Sequence, residues 1–222
     1  MTKNKFQNGF TIIELMIATV VFTIVMLILT VSVMHFTNSY YKGVTQASTQ
    51  SVARNIVNSV AQAIQFSGDQ FISKLPSNPL QPDSKGAYCV GGQLYSFKLG
   101  VEQESNPGAP NPQNVLVVSP DPGCSTTNIS PNFATGTNAQ GMLGSNMWLA
   151  SFSIAPITAA PPSTAPINAV NATLYRISVR VLYGASGLLT NTIGNNSNCI
   201  GTTGSQFCAT SGLSTIVEAR IK

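Results

Sequence analysis

The chain has 222 residues, and only 8% of them are Asp, Glu, Lys or Arg, against about 25% in an average soluble domain. This length allows one moderate domain plus an anchor and argues against two large domains. The formal net charge is +4, but between Ser105 and Tyr175 the only charged residue is Asp121. No dense basic surface is therefore available for a phosphate backbone, and no specific nucleic-acid partner is predicted.

The chain starts with a short basic stretch that is followed by a long apolar run. Lys3 and Lys5 precede this run, and no charged residue occurs from Leu15 to Met34. A helix of about 20 apolar residues is long enough to span a bilayer. The positive-inside rule predicts a cytoplasmic N-terminus, with the remainder of the chain sent across the membrane. Membrane lipid is therefore a predicted partner.

Two ordinary explanations of this segment fit it incompletely. A secretory signal peptide has an apolar region of about 7 to 15 residues and an A-x-A-like cleavage site, whereas this run is longer and no such site follows it. A plain signal anchor explains the length but not Glu14 at the start of the run. An unpaired charge at membrane depth costs about 3 kcal/mol or more, so this carboxylate needs a reason.

Residues Gly9 to Ala18 read G-F-T-I-I-E-L-M-I-A and resemble the prepilin signature of type IV pilins and type II secretion pseudopilins. The resemblance implies that prepilin peptidase, a membrane aspartyl protease, cuts after Gly9 and methylates the new amine of Phe10. It also implies that Phe10 and Glu14 serve subunit assembly. The new amine and the carboxylate carry opposite charges at i and i+4 of one helix, so two pairings are open, one within the chain and one with a neighbouring subunit. The family favours the neighbouring subunit.

The helical pattern continues beyond the membrane run. Val52, Ile56, Val60 and Ile64 recur every four residues and predict an amphipathic helix, which Ser67-Gly68-Asp69 would end. The predicted organisation is a leader over 1–9, a transmembrane helix half over 10–37, an amphipathic periplasmic helix half over 38–66 and a β-rich globular domain over 67–222.

The last of these segments alternates in the manner of strands and is punctuated by Pro and Gly. The predicted strands are Gln93 to Leu99, Asn114 to Val118, Met147 to Ile154, Leu174 to Tyr183 and Ser214 to Ile221. Residues 106–112 and 156–166 are predicted loops. Together these elements predict an α+β fold in which the long N-terminal helix packs against an antiparallel β-sheet.

Four cysteines follow the apolar run, and this even number suits disulfides in an oxidising compartment. They are Cys89, Cys124, Cys199 and Cys208, and none forms a C-x-x-C pair. The spacing makes Cys199 with Cys208 the first choice among the pairings, and Cys89 with Cys124 follows by elimination. Closing a loop of about ten residues contributes about 2 to 3 kcal/mol. Neither a metal nor a cofactor is predicted.

The C-terminal stretch from Ser214 to Lys222, with the cysteine loop before it, is similar to that of PilW-like minor pilins. Thr23 and Val31 stand where major pilins commonly carry Gly and Pro. The resemblance implies a minor pilin, a structural subunit that helps prime pilus assembly. Its implied partners are other minor and major pilins and the inner-membrane assembly platform. It would first be a single-pass inner-membrane protein with a periplasmic domain, and later a component of the surface pilus, at the tip or in the filament.

Three alternatives accompany this hypothesis. One is a GspJ-like type II secretion pseudopilin, and another is a tip adhesin or DNA-uptake pilin that uses the loops between Ser105 and Ala165. An enzyme is disfavoured because His35, beside the membrane exit, is the sole histidine and no catalytic motif is found. Twitching motility, cell adhesion, DNA uptake and secretion all stay open as roles of the filament.

Overall fold

In a computed structural model of the protein, the described residues are 11–67, 71–74, 78–79, 81–103, 114–120, 129–134, 138–157, 174–201 and 204–219. The helix is α1 (Ile12–Ser67), and the strands are β1 (Phe71–Lys74), β2 (Ser84–Val90), β3 (Gln93–Leu99), β4 (Leu116–Pro120), β5 (Gln140–Gly141), β6 (Met147–Ile157), β7 (Leu174–Tyr183) and β8 (Ala209–Glu218). Among the described residues, Ser186–Leu188 and Ser205–Phe207 form short 3-10 helices. The chain divides between Tyr41 and Lys42 into two compact units.

Helix α1 has 56 residues and changes character along its length. Every side chain from Ile12 to Val44 is exposed, and this half is long and apolar enough to cross a membrane. A helix that is apolar on all sides needs an apolar surrounding, which a bilayer supplies. The helix ends at Ser67, where the predicted stop begins.

In the second compact unit, α1 has one buried stripe and one exposed face. The stripe consists of residues with at most 3% exposure: Ala53, Ile56, Val57, Val60 and Ile64. Arg54, Asn55 and Asn58 lie between them in the chain and are exposed. The spacing of three and four residues is that of an amphipathic helix packed on a core, as the sequence predicts.

Two antiparallel sheets face this helix stripe. The first has the strand order β1-β2-β3-β4-β5 and the second β6-β7-β8, each in chain order. Side chains of both sheets share one hydrophobic core with the stripe of α1. The α+β fold with a long N-terminal helix against antiparallel strands is thereby confirmed, with its strands divided between two sheets.

The chain segment that follows β3 joins the two sheets. The Gly100 N–H donates to the Leu149 carbonyl at 3.0 Å, and the Gln103 N–H donates to the Met147 carbonyl at 2.8 Å. Gly100 has a φ of +69°, and a Cβ at this position would overlap the side chain of Ile193. Glycine is therefore required where the chain turns from the first sheet to the second.

An aromatic cluster also connects the two sheets. The rings of Tyr88 on β2, Phe97 on β3 and Phe152 on β6 lie with all three centroid separations at 5.3 Å. Gly86 is paired with Phe97 across the β2–β3 ladder, and the Phe97 ring occupies the space that a Cβ at Gly86 would need. Because glycine has no side chain, the Phe97 ring packs directly over the backbone of Gly86.

The observed strands agree with the predicted ones in some bounds and differ in others. β3 and β7 have the predicted bounds, whereas β8 starts earlier, at Ala209, and ends at Glu218. β6 extends beyond its predicted end to Ile157 and includes Pro156, which an edge strand tolerates. β2 lacks alternation because its last five residues are all buried, and the sequence therefore did not predict it.

A disulfide joins Cys199 to Cys208, with a Cα–Cα distance of 5.8 Å. Cys208 is buried in a small cluster with Trp148, Leu182 and Leu189, so the bridge ties the loop before β8 to the second sheet. Cys89 is also disulfide-bonded, and Cys124 lies outside the described residues. The pairing of Cys89 with Cys124 stays a prediction.

Candidate membrane anchor and assembly site

The start of α1 is closed by a reciprocal cap between Thr11 and Glu14. The Thr11 backbone N–H donates to Glu14 Oε2 at 2.9 Å, and the Thr11 hydroxyl donates to the same oxygen at 2.8 Å. The Glu14 N–H lies 3.4 Å from Thr11 Oγ1. Thr11 precedes the first helical residue and Glu14 is the third, which is the arrangement of a capping box. Glu14 thus has hydrogen-bond partners within its own chain.

This cap gives the carboxylate a physical role before any subunit contact is made. Negative charge in the first helical turn is favourable because the free N–H groups there carry partial positive charge. Two donors on one oxygen also reduce the cost of holding a carboxylate beside an apolar segment. The oxygen is directed toward Thr11, the residue that follows the predicted new N-terminus at Phe10.

Gly9 and Phe10, the predicted cleavage and methylation residues, lie outside the described residues. Their roles, and the pairing of the Phe10 amine with Glu14, stay predictions. Thr11 was missed as a site residue at the sequence level. The T-x-x-E spacing of Thr11 and Glu14 ahead of an apolar run was the signal that could have identified it.

Five hydroxyl side chains within the apolar half of α1 donate hydrogen bonds to the backbone of the helix itself. Each hydroxyl donates to a carbonyl three or four residues earlier at 2.8 or 2.9 Å: Thr19, Thr23, Thr30, Ser32 and Thr37. A bilayer offers no water to such groups, so internal bonding makes them compatible with lipid. These hydroxyls therefore do not argue against a membrane-spanning helix.

Aromatic and basic residues mark the end of the apolar half. Tyr40 and Tyr41 are 61% and 45% exposed, and Lys42 follows them. Tyrosine rings and lysine side chains are favoured at the level of the lipid head groups. The division between the two compact units falls at this same point, between Tyr41 and Lys42.

A concave surface of about 330 Å³ lies between the end of α1 and the first sheet. It is lined by Ser59, Gln62, Ala63, Phe66, Gly91, Gln93, Tyr95 and Val118. The Ser59 and Tyr95 hydroxyl oxygens lie 3.2 Å apart, and burial raises the pKa of Tyr95.

Within the described ranges, no three His, Cys, Asp or Glu residues form a group that could hold a metal.

Residues 4–30 match the family model of the prokaryotic N-terminal methylation motif. This match covers Gly9, Phe10, the Thr11–Glu14 cap and the beginning of the apolar half of α1. No curated protein matches the chain, and no solved structure matches it. The motif implies processing by prepilin peptidase and assembly with pilins, and the apolar N-terminal helix fits a membrane anchor. These findings support a protein of the type IV pilin and pseudopilin kind.

Proposed function

We propose that this protein is a minor type IV pilin, a low-abundance structural subunit that helps prime pilus assembly. The observation that carries the proposal is the methylation motif over residues 4–30, which coincides with the capped start of a membrane-spanning helix. The disulfide-closed loop ahead of β8 supports the PilW-like subtype. The function rests on association with other subunits.

The chemistry of assembly centres on the charge that leader removal creates. Hydrolysis after Gly9 leaves a cationic amine on Phe10, next to Thr11 in the chain. In a low-dielectric surrounding, an opposite charge within a few ångströms stabilises Glu14 far more strongly than in water. The Thr11 cap holds Glu14 in the first helical turn. There the Phe10 amine of the same chain and the Phe10 amine of a neighbouring subunit compete for the Glu14 carboxylate.

The proposed location follows from the same segment. The protein is inserted as a single-pass inner-membrane protein with a cytoplasmic N-terminus and a periplasmic domain. It then leaves the bilayer with the other pilins as part of a filament at the cell surface. Prepilin peptidase, the major and minor pilins and the assembly platform are its proposed partners.

A GspJ-like secretion pseudopilin is the runner-up, because the leader and the helix suit it equally well. A tip adhesin or DNA-uptake pilin would add ligand binding by the loops to the same subunit role. Recovery of the protein from purified pili separates the first alternative from a pilin. Direct binding of a surface or of DNA by the purified protein distinguishes the second.

Glu14→Ala tests the proposed role of the carboxylate. We expect leader cleavage to continue and incorporation into filaments to fall, because the amine then lacks its anionic partner. Glu14→Gln is the matched control, since an amide oxygen can still accept hydrogen bonds from Thr11 but carries no charge. If Gln also fails to incorporate, the charge is required rather than the cap. Normal incorporation of Glu14→Ala, or of uncleaved protein, would contradict the proposal.

A further inference from the structure

The free sheet edges of the second compact unit differ greatly in length. In the first sheet the edge strands are β1 with four residues and β5 with two. In the second sheet the β6 edge is partly covered, since Gly100 and Gln103 donate to Leu149 and Met147 of that strand. β8 has ten residues, all paired with β7 on one side. No described residue pairs with its other side.

β8 also lacks the devices that normally protect an edge. Proteins protect exposed edges with short strands, Lys, Pro or β-bulges. β6 has a register shift between Leu149 and Ser151 and carries Pro156, and β1 and β5 are short. β8 reads A-T-S-G-L-S-T-I-V-E, without Pro or Lys and without a register shift against β7, and its single charge is the terminal Glu218.

The core beneath β8 is incompletely covered. On β7 the core-facing residues Ile177 and Val179 are at most 2% exposed. Their register partners on β8, Thr215 and Leu213, point to the same side but are only partly buried. On the opposite face Ile216 is 56% exposed. Apolar surface is therefore left at the edge on both faces of the sheet.

We propose that the outer edge of β8 binds an extended strand from a partner filament subunit, which adds a fourth strand to the β6–β7–β8 sheet. An unpaired row of backbone N–H and C=O groups is complementary to another extended backbone, so a strand is the occupant that satisfies the row. The unpaired edge of β8 follows from the strand pairing among the described residues. Identifying the partner as a filament subunit rests on the proposed pilin function.

The side chains beside the edge define the chemistry of that strand. Its core-facing residues must be apolar, because they cover Leu213 and Thr215 and extend the core by one strand. A residue on its opposite face meets Ile216, where cross-strand pairs favour aromatic or β-branched partners. We therefore expect the partner strand to alternate apolar and polar residues, to be rich in β-branched residues and to have no Pro where it pairs with the centre of β8.

Amide hydrogen exchange of the full chain tests this proposal in two samples, native membranes and purified protein in detergent. In purified protein, we expect about half of the amides in 209–218 to exchange at loop-like rates while those of β7 stay protected. In native membranes, we expect exchange in 209–218 to slow by at least about tenfold. Protection that is already complete in purified protein would show that the chain covers its own edge. Equal exchange in both samples would overturn the proposal as well.

Ile216→Lys adds a test by mutation, because a lysine on an edge strand opposes strand addition. The matched control is Ala155→Lys, an exposed position in the same cross-strand row on β6, at the other edge of the sheet. We expect Ile216→Lys alone to abolish the slowing in membranes, with normal folding in detergent. Equal effects of both variants would contradict the proposal. The Glu14 variants report on the pilin role separately, so either idea can fail without the other.

Discussion

The two halves of α1 belong to one helix, but their apolar side chains need different surroundings. From Ile12 to Val44 every side chain is exposed and most are apolar, and five Ser and Thr hydroxyls donate to carbonyls of their own helix. From Ala53 to Ile64 the apolar side chains form one stripe that is buried against two sheets. The first half takes its stabilisation from a surrounding that is itself apolar, whereas the second half takes it from a protein core.

This comparison shows that helix periodicity and total hydrophobicity carry separate information. The stripe in the second half specifies a partner within the chain, so its substitutions should affect folding of the domain. The uniform surface of the first half specifies lipid or other subunits, so its substitutions should affect retention and assembly. The single tryptophan, Trp148, lies in the domain, and its fluorescence reports domain unfolding alone.

Truncating the stripe has the largest expected effect. Ile56 is 0% exposed, and Ile56→Ala should lower the free energy of unfolding of the domain by about 2 to 5 kcal/mol through lost burial and a residual cavity. Denaturant titration of the full chain in detergent, followed by Trp148 fluorescence, measures this. Ile24→Ala, which removes the same atoms from an exposed position in the first half, should change it by less than about 0.5 kcal/mol. Similar losses in both variants would remove the distinction between the halves.

Removing the disulfide comes next in size and acts only on the domain. The Cys199→Ser, Cys208→Ser double variant should lose about 2 to 3 kcal/mol, since the unfolded chain is no longer restricted by the short loop. The same titration checks this value. Membrane retention of the double variant should equal that of the parent, and a loss of retention would show that the domain and the anchor depend on each other.

Removing a single hydroxyl from a buried threonine and from an exposed one compares the two halves of α1 on a smaller scale. Thr49 in the second half is 0% exposed and donates to the Thr45 carbonyl at 2.7 Å. Thr49→Val should cost about 1 kcal/mol of domain stability. Thr30 donates to the Met26 carbonyl at 2.8 Å in the same way, but Thr30→Val should leave domain stability and membrane retention unchanged. A loss of filament incorporation with Thr30→Val would instead indicate that this hydroxyl contacts another subunit.

The smallest expected effect is a pH dependence that is confined to the domain. Burial raises the pKa of Tyr95, and the hydrogen bond to Ser59 only partly opposes this. A raised folded-state pKa means that stability is fully present below the unfolded value of about 10 and is lost as pH rises through the folded value. Tyr95→Phe should therefore make the alkaline loss of stability shallower. An unchanged alkaline profile would show that Tyr95 does not contribute to it.

Much of the fold follows from the sequence because the relevant patterns are local. The stop at Ser67 and the bounds of β3 and β7 needed only turn residues and alternation. β2 was missed because both of its faces are buried, which removes alternation. The division into two sheets was also missed, since it depends on contacts between distant residues such as Gly100 and Leu149.

The candidate site was predicted in part. Glu14 stood out because a carboxylate is costly beside an apolar run, but its capping partner Thr11 was overlooked, although the spacing was readable. The free edge of β8 was not predicted because an edge is a property of the sheet order. A single strand, however clear its alternation, does not reveal which of its sides is paired.

The most direct test of the central claim is quantitative mass spectrometry of sheared, purified filaments that reads the N-terminus of this subunit. We expect a trace amount relative to the major subunit, with every copy beginning at N-methylated Phe10. A dominant amount would identify a major pilin instead. Protein that keeps residues 1–9, or processed protein that is absent from filaments, would contradict the assignment as a minor pilin.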